Sequence, residues 1–457
     1  QPCGGRGTCG NCAVLSLSGA VSPPNAAEIR AGKRLSCQAR LTGNCVVELP
    51  PPQRWTDIET GMAEPAPGVP MAGRIGAAVD LGTTTIVARV YDLATGRALG
   101  QAAALNPQTA VAADVMGRIS AALSGGLERL CALARDAVTG AVTEACAAAG
   151  VSGADALTVA GNTAMLYLFT GRSPRSLSTA PFAADCRFGF EEPAGGASAY
   201  LPPCAGAFLG ADLTCAALAA GLCDAQETTL LMDIGTNGEL MLWHGGRLYA
   251  ASAAAGSAFE GGEISQGLGG VAGAIDKVWV ENGRLGSRVI GSGEARGLCG
   301  SGLIDAVAAL LRLGRINHTG AMDAPDALIA DGVRLTAADV RALQLAKAAV
   351  AAGVETLLAA AGIPAARVAR LILAGGFGSR LSVPNAAAIG LIPSALAGKA
   401  RAVGNAALAG AAALLLDTRL REKAERIAKK VELVPLGGDA GFEKRFLAAM
   451  DFPWAAG

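Results

Sequence analysis

Residues 75–91 read Ile75-Gly-Ala-Ala-Val-Asp80-Leu-Gly82-Thr83-Thr84-Thr85-Ile-Val-Ala-Arg-Val-Tyr91, and residues 230–242 read Leu230-Leu-Met-Asp233-Ile-Gly235-Thr236-Asn237-Gly238-Glu239-Leu-Met-Leu242. In each, an apolar run ends on an Asp, turns tightly at a Gly and re-enters a strand. Asp80 and Asp233, Gly82 and Gly235, and Thr83 and Thr236 each stand 153 residues apart. One Asp-Gly turn between strands is ordinary. Two in the same register imply a duplicated α/β lobe.

The chemistry follows from the residue types. A turn of Gly and hydroxyl residues exposes backbone N–H groups that cradle phosphate oxygens, and an Asp at a strand end holds Mg²⁺ through water. Gly82, Thr83, Thr84 and Thr85 on one side, with Gly235, Thr236, Asn237 and Gly238 on the other, are therefore expected to clamp the β- and γ-phosphates of a nucleotide. Asp80 and Asp233 are the expected catalytic, metal-holding acids. No G-x-x-x-x-G-K-[ST] occurs in the chain, and no G-x-G-x-x-G opens a helix after a strand.

Three more stretches are read as site-forming. In Ala369-Arg-Leu-Ile-Leu-Ala-Gly375-Gly376-Phe377-Gly-Ser379 a strand stops at two glycines, where a flat adenine or ribose can approach the backbone. Taken alone it is equally a packed strand-turn; behind two phosphate hairpins it reads as an adenosine loop. Residues 252–263 place Gly256, Ser257 and Glu260 in a loop after a strand. Gly297-Leu-Cys-Gly300-Ser301-Gly-Leu-Ile-Asp305 opens a helix running to about Arg312, with Gly300 and Ser301 at its N-terminus, where N–H groups bind anions. Each of the last two is also readable as a cap or turn. Glu239 and Glu260 are both candidates to orient an attacking water.

Ahead of this body the cysteines crowd. Cys3, Cys9, Cys12, Cys37 and Cys45 fall within 45 residues, and the other seven of the 12 are scattered over the remainder. Pro2-Cys3-Gly-Gly-Arg-Gly-Thr-Cys9-Gly-Asn-Cys12 is a C-x5-C-x2-C run, and Cys37 follows Cys12 by 25 positions. Disulfides, structural zinc and an iron-sulfur cluster are the alternatives. The interleaved glycines favour the last, because a loop wrapped around inorganic sulfides needs close backbone approach and positive φ angles. Cys45 reads as a spare, core-filling thiol. From Pro50 to Pro70 six prolines in 21 residues make a semi-rigid tether.

Composition bounds the partners. The 457 residues carry 38 Lys+Arg against 38 Asp+Glu, a zero net charge that speaks against nucleic-acid or anionic-membrane binding. No apolar run has the length of a bilayer span; the longest, around Ala406 to Leu416, reads as a buried helix. Two histidines remove most His-based chemistry, and the start at Gln1 without Met or signal peptide reads as a fragment or processed form.

The cysteine segment resembles plant/adrenodoxin-type β-grasp 2Fe-2S ferredoxins, beginning at the cluster loop without the preceding hairpin and helix. The resemblance implies Cys3, Cys9, Cys12 and Cys37 as 2Fe-2S ligands, with cluster retention in question because the sheet is incomplete. The three nucleotide motifs resemble the ASKHA superfamily of sugar kinases, Hsp70 and actin, which implies two RNase H-like lobes closing on ATP and Mg²⁺. In that comparison residues 157–165 and the helix from about 403 are the expected connecting elements. The implied division is 1–49 partial ferredoxin, 50–72 tether, 73–226 first lobe and 227–457 second lobe, with the helix from about 403 packing back on the first.

Together the halves resemble reductive activators of corrinoid proteins, through Gly161-Asn-Thr-Ala-Met, 231–239, 254–261, Cys299-Gly-Ser-Gly-Leu-Ile-Asp, 345–350 and 374–378. The short tether departs from relatives that carry an extra middle segment. The family implies ATP-driven reduction of a partner's Co(II) corrinoid to Co(I), with the electron passing through the cluster. A plant-type cluster lies near about −400 mV, and each 59 mV of one-electron shortfall is about tenfold in equilibrium, so an acceptor this low calls for coupling to hydrolysis. No D-x-H-x-x-G occurs, so the cobalamin is expected on the partner. Expected partners are thus a corrinoid protein and an upstream electron donor, in a cytoplasmic setting, with homodimerisation open. A small-molecule kinase and a dehydratase activator with a 4Fe-4S cluster are the competing classes.

Overall fold

The computed structural model describes residues 12–48 except 15 and 32, residue 68, and residues 73–453 except 195 and 292. Cys3, Cys9 and nearly all of the tether lie outside the described residues. In the N-terminal segment, strands Ser16–Val21 and Leu41–Glu48 pair antiparallel around the short helix Ala26–Ala31.

Two six-stranded sheets form the body, and five strands of each repeat one order and direction. In the first, Ile75–Leu81, Thr85–Asp92 and Ala98–Leu105 make an antiparallel meander, and Ala156–Gly161 and Ala197–Leu201 extend it in parallel on the other side of Ile75–Leu81. In the second, Thr229–Ile234, Gly238–His244 and Arg247–Ala253 make the meander, with Arg370–Ala374 and Ala400–Gly404 as the parallel strands. Phe190–Ala194 and Val431–Leu433 are added at opposite ends of this shared order. Asp80 and Asp233 thus close corresponding central strands, beside parallel strands that run on into the helices Thr163–Thr170 and Gly375–Arg380. Ligands of open α/β sheets collect at such carboxyl ends.

Two helices bury the faces between the sheets. Ala211–Ala219 and Ala406–Leu416 share one core with Ala78, Val87 and Tyr91 of the first sheet and Leu231, Met241 and Trp243 of the second. Ala406–Leu416 comes late in the chain yet packs on strands Ile75–Leu81 and Ala156–Gly161 of the first sheet. Its closest approach is at Gly410, where a Cβ would sit 2.1 Å from the backbone oxygen of Cys215. The expected connector at 157–165 has a different place: it is a central strand of the first sheet followed by a helix, buried by parallel pairing with Ile75–Leu81.

The helix Ala337–Ala360 is longer than the apolar run read as the longest, and by length and composition it meets the requirement for a membrane span. It is instead buried along most of its length in the core of the second sheet, and a capping box at Thr336 and Asp339 starts it.

Because Gly410 lies against backbone that cannot yield, Gly410→Ala is expected to destabilise the protein by about 2 kcal/mol through overpacking, read as a lower denaturation midpoint. An unchanged midpoint would show that the two helices are free to separate.

Candidate functional site

The two turns meet across a cleft. In hairpin 1 (Ile75–Leu81 with Thr85–Asp92), the Gly82 N–H bonds to Thr85 O at 3.1 Å, and a Cβ on Gly82 would lie 2.5 Å from that same oxygen. In hairpin 2 (Thr229–Ile234 with Gly238–His244), the Gly235 N–H bonds to Asn237 O at 3.0 Å. Glu260, on the loop after Arg247–Ala253, joins them. Thr84 Oγ1 donates to its Oε2 at 2.8 Å and the Thr236 N–H donates to its Oε1 at 3.0 Å. A carboxylate therefore sits on two of the donors that were expected to meet phosphate.

Four acids share the floor of this cleft. Asp80 and Asp233 end the central strands, Glu239 lies directly across hairpin 2 from Asp233, and Asp212 stands in the first turn of Ala211–Ala219. Burial raises all of them. Asp80 moves up to about 6 despite the hydrogen bond that Asn405 Nδ2 donates to its Oδ2 at 2.8 Å. Burial and then repulsion from the other acids take Asp212 and Asp233 up to about 7 and Glu239 well above the carboxylate range. Among the described residues no three His, Cys, Asp or Glu side chains are grouped to ligate a metal directly.

Glu239 accepts no hydrogen bond among the described residues and lines a cavity of about 10 Å³ with Asn162, Asn237, Ile119 and Phe208. Asn162 caps Thr163–Thr170 through Met165 N and donates to Thr83 Oγ1 at 3.0 Å. Gly375, with φ of +81°, would place a Cβ 2.5 Å from Asp233 Oδ1, whereas Gly376 faces open space. Phe377 stacks on Phe259 at 5.1 Å. Gly256 is exposed with open space around it, and Ser257 accepts the N–H groups of Glu260 and Gly262, shaping the Glu260 loop.

One expected anion site is corrected. Helix Gly300–Arg312 begins as expected, but Cβ atoms on Gly300 and Gly302 would meet Phe259 O and Ile275 O at 2.0 Å, and Ser301 Oγ donates to Asp276 O. Protein backbone, and not a ligand, makes the close approach. Asp212, Asn162 and Asn405 escaped the sequence reading. The only signal for Asp212 was an acid in a first helical turn after Gly210, whose own Cβ would lie 2.6 Å from that carboxylate.

Of the expected cluster ligands, Cys12 and Cys37 are described. Backbone bonds from Ser36 N to Cys12 O and from Val14 N to Arg34 O bring their sulfurs to 3.1 Å. Two thiols converging from 25 residues apart fit a shared metal-cluster site.

A two-lobed fold with paired phosphate hairpins and a central acid cluster defines an ASKHA-type nucleotide-binding protein. Models of one family match almost all of this body: the RACo middle region over residues 75–225, and the C-terminal domain of RACo, the ASKHA domain, over residues 227–456. The chain belongs to the RACo family of reductive activators. The middle segment expected to be missing is therefore present, and it is the first sheet with its helices. The corrinoid activation enzyme RamQ of Eubacterium limosum is 32% identical over 413 residues, covering 81% of this chain and 69% of that protein. A [Co(II) methylated amine-specific corrinoid protein] reductase of Methanosarcina barkeri is 30% identical over 253 residues, half of this chain and 47% of that protein. A solved structure of a reductive activator for a corrinoid, iron-sulfur protein superposes with a TM-score of 0.77 at 27% identity, over 99% of this chain and 93% of that one.

The raised acids predict a pH dependence with a definite sign. Folded, they hold protons that the unfolded chain releases from about pH 4 upward. Without Mg²⁺ or nucleotide, stability should therefore fall as pH rises toward about 7, and Mg²⁺ should raise the melting temperature more at pH 8 than at pH 5. Asp212→Asn should flatten the fall; an equal Mg²⁺ shift at both pH values would count against this cluster holding the ion.

Proposed function

We propose that this chain couples MgATP hydrolysis to the one-electron reduction of a Co(II) corrinoid carried by a partner protein, giving Co(I), the electron coming from an upstream donor. Family membership and the activities of the relatives support the redox half. The observation that carries the hydrolytic half is Glu239, a buried carboxyl beside a cavity of about 10 Å³ with room for about one water.

In this proposal, lobes 73–226 and 227–457 close on MgATP. Asp80 and Asp233 hold the ion through water, Gly82 to Thr85 and Gly235 to Gly238 surround the phosphates, and Gly375 to Phe377 admit the adenosine. Glu239, raised by burial and beside the water-sized cavity, orients the attacking water; Glu260, already engaged by both hairpins, senses their closure. Asn162 and Asn237 position the same water from opposite lobes. Closure and reopening on hydrolysis alter the hold on the corrinoid partner and make electron delivery one-way. A 2Fe-2S cluster on Cys3, Cys9, Cys12 and Cys37 would supply a one-electron carrier.

Mixing the full-length protein, reductant, MgATP and a Co(II) corrinoid protein should produce Co(I) absorbance only with ATP; ATP-independent reduction would overturn the proposal. Glu239→Gln should lower hydrolysis by about 10²–10⁴-fold, with a smaller loss for Glu260→Gln. Cys12→Ser or Cys37→Ser should abolish the reduced-cluster EPR signal while ATP hydrolysis persists. Iron counting that returns four irons per cluster would instead favour a dehydratase activator.

A further inference from the structure

The turn of hairpin 1 is held from behind by one buried segment, residues 106–118. Asn106, fully buried, donates from Nδ2 to Gly82 O at 2.9 Å and from its backbone N–H to Thr84 O at 2.8 Å. Arg118, fully buried on helix Val115–Ala121, donates from Nη2 to Thr83 O at 2.6 Å. Its Nε donates to Ala112 O at 3.0 Å and its Nη1 to Gln108 Oε1 at 3.1 Å, and Gln108 is itself anchored to Leu130 O at 2.8 Å. Three successive carbonyls of the turn thus have fixed donors behind them.

In a planar trans peptide the N–H points opposite to the carbonyl of the same unit. Holding the carbonyls of Gly82 and Thr83 therefore aims the N–H groups of Thr83 and Thr84 the other way. Neither N–H has an acceptor among the described residues, and the Thr84 hydroxyl beside them reaches Glu260 of the second lobe. These donors face the gap where an anion would sit. Hairpin 2 is arranged differently, since its Thr236 N–H already has the Glu260 carboxylate.

Charge points the same way. Asp114 and Glu260 are the carboxylates that act on Arg118, and neither forms an ion pair with it. Burial pushes the guanidinium down only to about 10, so it stays protonated at neutral pH. A buried cation without an ion-pair partner is costly, and an anion in the turn would offset that cost.

We infer that Arg118 is a positioning residue for the nucleotide's terminal phosphates: it fixes the Thr83 carbonyl, aims the Thr84 N–H at a phosphate oxygen and places a positive charge without an ion-pair partner behind the turn. It rests on the assignment of the two hairpins as a nucleotide phosphate site. Its role is on phosphates and not on the adenosine, and this separates it from a residue that merely supports the fold.

The test uses the full chain, its Arg118→Met variant and its Arg118→Lys variant. MgATP affinity is measured by calorimetry, and adenosine, the phosphate-free probe, by inhibition of hydrolysis. For Arg118→Met, MgATP affinity should fall by about tenfold or more, as for loss of a charge-assisted hydrogen bond, with adenosine inhibition within about twofold of the parent. Arg118→Lys should lie between, because it keeps the charge and loses the planar fork; it carries the same comparison if Arg118→Met does not fold. Unchanged MgATP affinity, or equal losses for MgATP and adenosine, would overturn the assignment. A parent chain that is inhibited by adenosine yet insensitive to MgATP concentration would overturn the phosphate site itself, and the role of Arg118 with it.

Discussion

Asp80, Asp212, Asp233 and Glu239 repel one another at the bottom of a cleft that hydrates them poorly, and most of the surrounding architecture serves to make that tolerable. Like charges brought out of bulk water either pick up protons or recruit a cation. The central strands end so that two of the acids come from corresponding positions, and the neighbouring backbone is stripped of side chains at Gly210 and Gly375, where a Cβ would collide with Asp212 or Asp233. Asn405 supplies a neutral donor to Asp80, partly offsetting the repulsion without filling the place of an ion. In the proposed function, this unbalanced acid cluster is where the Mg²⁺ of the nucleotide would be recruited.

The duplication is strict in the sheets and loose in the details that do chemistry. Both halves share strand order, direction and the Asp-x-Gly-Thr turn. Yet hairpin 1 has its carbonyls held by Asn106 and Arg118, whereas hairpin 2 has Glu260 on its N–H face. Glu239 and the paired Gly375-Gly376 occur in the second half alone; the first half has Gly161 and Asn162 at the positions corresponding to the two glycines. Divergence of this kind is expected where one scaffold must present two ends of an asymmetric ligand: the sheet is under packing constraint and the turns are under chemical constraint.

Much of the fold was legible because its signals are local. An apolar run ending in Asp-x-Gly-Thr needs only nearest neighbours to become a strand and tight turn, and the repeat at 153 residues announced the second lobe. Asp212, Asn162, Asn405 and Arg118 were not legible, since each meets Asp80, Asp233 or Thr83 from a distant part of the sequence and is brought there by the fold. The helix at Gly300 misled for an instructive reason. Glycine reports that something comes close to the backbone without saying what, and there the visitor is Phe259 O rather than phosphate. The cysteine reading and the structure meet at Cys12 and Cys37, whose convergence depends on a bridge between Ala13 and Leu35 that no spacing rule contains.

The helix Ala406–Leu416 covers the first sheet, and its cap Asn405 touches Asp80 across 325 residues of chain. During synthesis at about 5–20 residues per second, the strands carrying Ala78, Val87 and Tyr91 therefore emerge roughly 15–65 s before the helix Ala406–Leu416 that helps to bury them is made. The first half is not a domain that folds and waits; it is an unfinished surface until the second half arrives. A chain split between the halves would therefore leave the apolar face of the first sheet without one of its covers.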